Sequence, residues 1–219
     1  KPLTMQKDLG NYRKSYEKNE LTKEVVPNEP MQLFQQWFIE TEKQGGVEEP
    51  NAMTLSTIGL DGFPKSRVVL LKEFTDEGFV FYTNYESEKG VAIAENSHVC
   101  LSFFWPNLER QVIIKGVANK VDASTSDEYF DSRPTGSKLG ALASDQSTVI
   151  PSREFLEERL AHLEEEFKDK KVQRPSHWGG YLVEPVEIEF WQGRPNRLHD
   201  RIRYRPAENG LWTVERLAP

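Results

Sequence analysis

Hydrophobic positions first fall into a helical rhythm over residues 28–46. Leu33, Phe34, Trp37 and Phe38 gather on one face, Pro30 sits in the first turn, and Gly45-Gly46 supplies a stop. From residue 52 the pattern changes to short segments rich in Val, Ile, Phe and Tyr, at 52–60, 65–73, 79–84, 99–105 and 111–121. Asp61-Gly62, Asp76-Glu77-Gly78 and Pro106-Asn107 separate them as turns, the first as a hairpin. Links this short join antiparallel strands, because a parallel crossover needs about a dozen residues or more. Five such strands predict a Greek-key barrel or a sandwich.

A helical stretch over 124–142 interrupts the strands. A second, over 152–168, places Leu156, Leu160, Leu163 and Phe167 at spacings of four, three and four, with Glu154, Glu157 and Glu158 near its positive end. Strands return at 180–184, 187–191, 201–205 and 211–216, so the class is α+β around a β-barrel. Residues 1–25 are polar, with a short helix expected around 7–18, and read as a flexible N-terminal segment. Residues 26–219 read as a single domain.

Composition narrows the function. The 219 residues are 37% hydrophobic and 29% charged, a globular balance. The net charge of −7 disfavours nucleic acid as a partner, because a phosphate backbone rewards basic surfaces. No apolar run approaches the roughly 18 residues of a membrane span. Residues 1–13 lack the apolar centre of a signal peptide, and Cys100 is the single cysteine, so a cytoplasmic location is the expectation.

Several chemistries have no footing here. There is no glycine-rich nucleotide loop and no Gly-x-Ser-x-Gly elbow. His98, His162, His177 and His199 are scattered without metal-ligand spacing, and Cys100 reads as a core filler.

Three clusters remain. Arg67-Val68-Val69-Leu70-Leu71-Lys72 is a strand bracketed by cations five residues apart, which strict alternation places on opposite faces. Taken alone it is a strand with solvated ends. Phe81-Tyr82-Thr83-Asn84 leads into a helix start at Ser87 with Lys89 beside it; alone that is an ordinary N-cap, and it also offers an anion free backbone N–H groups. Glu189-Phe190-Trp191-Gln192-Gly193-Arg194-Pro195-Asn196-Arg197-Leu198-His199-Asp200-Arg201 crowds donors and an aromatic around a turn, more than a surface connection needs. Together they suit a flat, phosphorylated, aromatic ligand.

In order and spacing these clusters resemble the pyridoxine 5′-phosphate oxidase family. Phe190-Trp191-Gln192-Gly193 with Asn196-Arg197-Leu198-His199-Asp200-Arg201 carries most of the resemblance. Glu109-Arg110-Gln111-Val112, Ser132-Arg133-Pro134, Gln146-Ser147, Trp178-Gly179-Gly180 and Glu215-Arg216-Leu217-Ala218-Pro219 extend it over nearly the whole chain from about Arg13.

The resemblance implies an antiparallel FMN-binding split β-barrel with flanking helices, a homodimer, and two FMN sites at the subunit interface. The implied reaction oxidises pyridoxine 5′-phosphate or pyridoxamine 5′-phosphate at the 4′ carbon to pyridoxal 5′-phosphate. FMN takes the hydride, dioxygen becomes hydrogen peroxide, and the amine substrate also yields ammonia. Carried over residue by residue, the FMN partners are Arg67, Val68, Leu70, Lys72, Tyr82, Thr83, Lys89, Gln111, Gln146, Ser147, Trp191 and Arg201. Lys72, Tyr129, Arg133 and Ser137 are implied to hold the substrate phosphate, and Arg197 and His199 to lie over its ring. Tyr129 and Arg133, four apart, are expected on one helix face, and residues 197 and 199 on one face of an extended segment. Arg13 and Tyr16 resemble residues that close over the site. Glu88 stands where many relatives have arginine and is expected to face outward. The rival readings are another flavin split-barrel reductase and a non-catalytic carrier of FMN or vitamin B6 phosphate.

Overall fold

Helix α1 (Pro30–Gln44) starts at Pro30, whose fixed φ suits a first turn, and stops at Gly45, φ 66°, whose N–H returns to the carbonyls of Thr41 and Glu42. Its face of Met31, Leu33, Phe34 and Trp37 is buried. Phe34 is fully enclosed, with the rings of Phe74, Phe79 and Phe103 at 5.0, 4.9 and 5.2 Å. Truncating such a residue costs about 3–5 kcal/mol. The structure, a computed structural model, describes residues 9–208 and 210–219.

Below α1 lies one antiparallel sheet. Its strands are β1 (Ala52–Ile58), β2 (Pro64–Leu70), β3 (Glu73–Thr75), β4 (Gly78–Asn84), β5 (His98–Trp105), β6 (Arg110–Lys120), β7 (Trp178–Gln192), β8 (Asp200–Pro206) and β9 (Trp212–Leu217). Their order is β2-β1-β5-β6-β7-β4-β3, with β8 on the second half of β7 and β9 beyond it. β2 also touches β4, so the sheet curls into a half-barrel. Alternation sets its two faces. Leu55, Leu101, Phe103, Val112, Ile114, Ile188, Phe190 and Ile202 point inward and form the core with α1. Among the described residues, helices α2 (Glu88–Glu95), α3 (Ala123–Ser132), α4 (Thr135–Ala143) and α5 (Arg153–Glu166) flank this sheet. Phe130, Leu139, Val172 and Trp178 make a second apolar cluster, against which Leu160, Leu163 and Phe167 pack.

Four expectations change. The helix over 124–142 is two helices, α3 and α4, because Pro134 has no N–H to donate and holds Arg133 extended at φ −73°, ψ 150°. The strands at 180–184 and 187–191 are one strand, β7. Pro185 is accommodated where the ladder slips between Lys115 and Gly116, a bulge that spares it a donor's role. The strand over 65–73 ends at Leu70, and residues 73–75 form the separate β3 against β4. Residues 9–18 hold a tight turn and irregular chain without a helix, while positions 7 and 8 of the expected helix lie outside the described residues. Leu21, ahead of the expected domain boundary, is 3% exposed within the main core.

Candidate functional site

A cavity of about 820 Å³ opens between the β2–β4 side of the sheet and helices α2, α3 and α4. Of the residues assigned to the cofactor, Arg67, Val68, Leu70, Lys72, Tyr82, Thr83, Lys89 and Gln146 line it. So do Tyr129, Arg133 and Ser137, assigned together with Lys72 to the substrate phosphate. Arg67 and Lys72 reach one cavity because β2 stops at Leu70. Beyond it Leu71 N–H bonds Asn51 and Lys72 N–H bonds Val80, so alternation does not carry through to Lys72.

Two groups of cations stand in this cavity. In the first, Arg67 donates to Thr57 Oγ1 at 2.8 Å and to the Leu55 carbonyl at 3.3 Å. Lys89, 8% exposed, donates to Ser87 Oγ at 3.3 Å. Ser87 caps α2, its Oγ accepting the Gly90 N–H, which leaves the positive helix start beside both cations. Burial, and then the Arg67 charge, lower the Lys89 ammonium from its ordinary range. No ion pair reaches Lys89 among the described residues. Glu88 takes the outward course: its side chain is 51% exposed and pairs with Lys65.

The second group surrounds Arg133, whose guanidinium lies 4.6 Å from the Trp178 ring centre. Its Nη1 is buried without a hydrogen-bond partner. An orphaned cationic donor of this kind is a demand for an anion. Tyr129 stacks on Tyr82 at 3.8 Å, and Trp178 stacks on Tyr82 at 5.6 Å. Burial pushes the Tyr82 hydroxyl up to about 12, so it stays a neutral donor. Arg133 and Tyr129 do not share a helix face, since Arg133 lies past the end of α3; they meet as walls of one cavity.

The remaining assigned residues lie elsewhere on the chain. Gln111, Trp191 and Arg201 stand directly opposite one another on β6, β7 and β8, a row across the outer face of the sheet. Arg201 grips Glu189 with two hydrogen bonds, 2.7 and 3.0 Å. His199 lies 4.7 Å from the Trp191 ring, and Tyr16 stands edge-on to both, at 5.6 Å from Trp191 and 5.7 Å from His199. Residues 195–197 form a 3-10 turn rather than an extended segment, with Asn196 and Arg197 at φ 57° and 62°. Two consecutive left-handed residues without glycine store backbone strain at a candidate catalytic position. His199 Nδ1 accepts the Arg194 N–H at 3.1 Å, so the neutral ring carries its proton on Nε2. Burial, and then the Arg197 charge, lower its pKa. A smaller cavity of about 390 Å³ joins His199 to Leu198, Arg216 and the C-terminal Leu217, Ala218 and Pro219. Arg13 donates to the Gly10 carbonyl and reaches neither cavity. Ser147, φ 75°, sits on an exposed turn beside Gln146.

Sequence reasoning missed Trp178 and Asn84 as cavity walls, and Glu109 and Asp200 as buried carboxylates that hold residues 14–21. Trp178 is foreshadowed by Trp178-Gly179-Gly180: a Cβ on Gly180 would meet Tyr82 at 2.8 Å, so small residues there let the aromatic stack form. Glu109 lies in the Glu109-Arg110-Gln111-Val112 motif, but nothing in that motif marks it as a holder of residues 14–18. Among the described residues no cluster of His, Cys, Asp or Glu is arranged to hold a metal ion, and no helix is long and apolar enough to cross a membrane.

Comparison with known proteins identifies the family. Residues 39–166 match the family described as Pyridoxamine 5'-phosphate oxidase, and residues 178–219 match the Pyridoxine 5'-phosphate oxidase C-terminal dimerisation region. A Flavobacterium johnsoniae protein named Pyridoxine/pyridoxamine 5'-phosphate oxidase is 66% identical, covering 96% of this chain and 99% of its own. One of the same name from Pseudomonas paraeruginosa is 50% identical over 98% of this chain and all of its own. Among solved structures, PhzG from Burkholderia lata in complex with tetrahydrophenazine-1-carboxylic acid superposes with a TM-score of 0.84 at 31% identity, covering 91% of this chain and 98% of that one. A pyridoxamine 5'-phosphate oxidase-related, FMN binding protein from Nostoc punctiforme shares the fold at a TM-score of 0.68 and 14% identity, covering 89% of this chain and 99% of that one. On these matches the chain belongs to the pyridoxamine 5′-phosphate oxidase family of FMN-binding split barrels.

Proposed function

We propose that this protein oxidises pyridoxine 5′-phosphate or pyridoxamine 5′-phosphate to pyridoxal 5′-phosphate, with FMN as cofactor and dioxygen as acceptor. The observation that carries the reading is one cavity with two separate cationic groups, suited to two phosphates, in a chain 66% identical to a protein named for this reaction. Arg67, Lys89 and the N–H groups at the start of α2 take the FMN phosphate. Their desolvated, under-neutralised charge fits a dianion. Lys72, Tyr129, Arg133 and Ser137 take the substrate phosphate, with the orphaned Arg133 Nη1 as the donor in want of an acceptor. FMN, when bound, supplies the redox chemistry: it accepts a hydride from the substrate and yields hydrogen peroxide with dioxygen.

The chain's own residues bind, orient and exclude water. Arg197 and His199 orient the pyridine ring, His199 presenting the Nε2 proton that its Nδ1 hydrogen bond fixes. Trp191 and Tyr16 shield that place from solvent. Gln111 offers an amide to the polar edge of the flavin, and Gln146, Val68, Leu70, Tyr82 and Thr83 shape its surroundings; Ser147 and Arg201 belong to the same set.

The two halves of the site lie apart on a single chain, and a second copy brings them together. Support comes from the match of residues 178–219 to a dimerisation region and from exposed apolar groups on the outer face, Val68 at 69% and Phe104 at 55%. The Arg197-Leu198-His199 segment and the set of Lys72, Tyr129, Arg133 and Ser137 disfavour another flavin split-barrel reductase, which has no need of both.

The test is oxygen uptake by the FMN-loaded protein with either substrate, with aldehyde product measured alongside. The expected result is uptake matched by pyridoxal 5′-phosphate, with ammonia from the amine. A yellow protein that neither takes up oxygen nor forms aldehyde contradicts the oxidase and leaves a carrier.

A further inference from the structure

Glu109 is a carboxylate where a loop residue has no need of one. It is 2% exposed, and its backbone is left-handed at φ 58°. That conformation is strained for a residue with a side chain and persists only where its surroundings demand it.

The surroundings show what it holds. Glu109 Oε2 accepts the N–H groups of Glu17 at 2.9 Å and Lys18 at 3.2 Å, while Oε1 pairs with Lys14 Nζ at 3.0 Å. On its other side the Glu109 carbonyl accepts the Gly193 N–H at 2.7 Å and Gln192 Nε2 at 3.2 Å. One residue therefore grips the chain on both sides of Tyr16 with its carboxylate and the Gln192-Gly193 turn with its main chain.

Between those two grips lies the contact that matters. A Cβ on Gly193 would stand 2.7 Å from Tyr16 Cγ and 2.8 Å from Tyr16 Cβ, so the tyrosine packs directly on the bare backbone of residue 193. From there its ring reaches Trp191 and His199 edge-on.

We propose that Glu109 is a positioning residue for the substrate ring: by clamping residues 14–18 to the Gln192-Gly193 turn it sets Tyr16 against His199 and Trp191. This rests on the oxidase reading of the His199 site. Glu109 touches neither substrate nor cofactor and acts through Tyr16.

The experiment compares wild type, Glu109→Gln, Glu109→Ala, Tyr16→Ala and the Glu109→Ala/Tyr16→Ala double variant, all loaded with FMN. Trypsin cleavage after Lys14 and Lys18 reads the clamp without any turnover. Steady-state kinetics with pyridoxine 5′-phosphate read its consequence, and FMN content with thermal midpoint reports folding. The clamp predicts faster cleavage in Glu109→Ala than in wild type, with Glu109→Gln between. It predicts a KM raised about tenfold or more in Glu109→Ala, the scale of a lost charge-assisted hydrogen bond, with kcat far less affected. Because Glu109 acts through Tyr16, the double variant matches Tyr16→Ala alone. Gly193→Ala approaches the same tyrosine from the other side with Glu109 intact, and it too raises KM.

Equal cleavage rates across the Glu109 series overturn the clamp. Faster cleavage with unchanged KM, or full additivity in the double variant, overturns the positioning role. Should Glu109→Ala fail to fold, Glu109→Gln and Gly193→Ala decide the matter. A wild type without turnover sinks the oxidase reading, and with it the positioning role, while the cleavage series still decides the clamp.

Discussion

Arg67 presses its positive charge on the buried ammonium of Lys89, and the two stand together at the start of α2. The Lys89 ammonium is buried and Arg67 half-buried, and no carboxylate pairs with Lys89 among the described residues. The arrangement costs the empty protein stability and repays it when a phosphate arrives. Lys89→Met is therefore expected to keep or raise the thermal midpoint of the FMN-free protein. It should weaken FMN binding by about 10- to 100-fold, the range for one hydrogen bond to a charged group. Fluorescence titration of FMN and paired melting curves check this; a variant that loses apo stability and binds FMN normally would assign Lys89 to the fold.

Arg133 answers a different ligand. Replacing it with Met removes the orphaned Nη1 while keeping the packing against Trp178. KM for either phosphorylated substrate should rise about 10- to 100-fold, with FMN affinity within about twofold of wild type. A loss of FMN affinity equal to the loss in KM would merge the two cationic groups into one site.

His199 gives the pH dependence. Burial and Arg197 lower its pKa below the ordinary histidine value of about 6.5, so the native state favours the neutral ring. As pH falls through the ordinary range the unfolded chain takes up the proton first. This histidine then costs stability, and the cost levels off below the folded pKa. The same protonation breaks the Arg194 N–H to Nδ1 hydrogen bond. The acid limb of kcat/KM should therefore turn at a pH below the ordinary histidine value, and His199→Asn should abolish that limb and lower kcat/KM on the order of 10- to 100-fold. An acid limb that survives in His199→Asn belongs to another group.

Much of this was legible in the residues, for identifiable reasons. The face of Leu33, Phe34 and Trp37 and the alternation of β5 and β6 are packing patterns, and a single chain's packing is local enough to read. The break at Pro134 was readable too, since a proline there forbids one unbroken helix over 124–142. The continuity of β7 across Pro185 was not, because it depends on the register against β6, where Lys115 and Gly116 face Glu187 and Pro185 and leave Val186 as the extra residue of a bulge. Likewise the split of the site residues into a cavity set and an outer-face set follows from which strands neighbour one another. Spacing along the chain says nothing of that. Tyr16, placed near the site by resemblance, does meet His199 and Trp191, whereas Arg13 turns back to Gly10. Glu109 stands in a motif that carries the resemblance, yet its carboxylate contacts reach Glu17 and Lys18 across 92 and 91 residues, which spacing along the chain does not show.

On the proposed reading one chain supplies two separated halves of a site and a second copy joins them. The direct measurement is complementation between a cavity variant, Lys89→Met/Arg133→Met, and a ring-orienting variant, Arg197→Met/His199→Asn, each inactive as a homodimer. In mixed dimers isolated through two different tags, one site combines both defects and the other has none, so about half of the wild-type turnover per dimer should return. Mixed dimers as inactive as their parents would place the whole site within one chain and contradict the account.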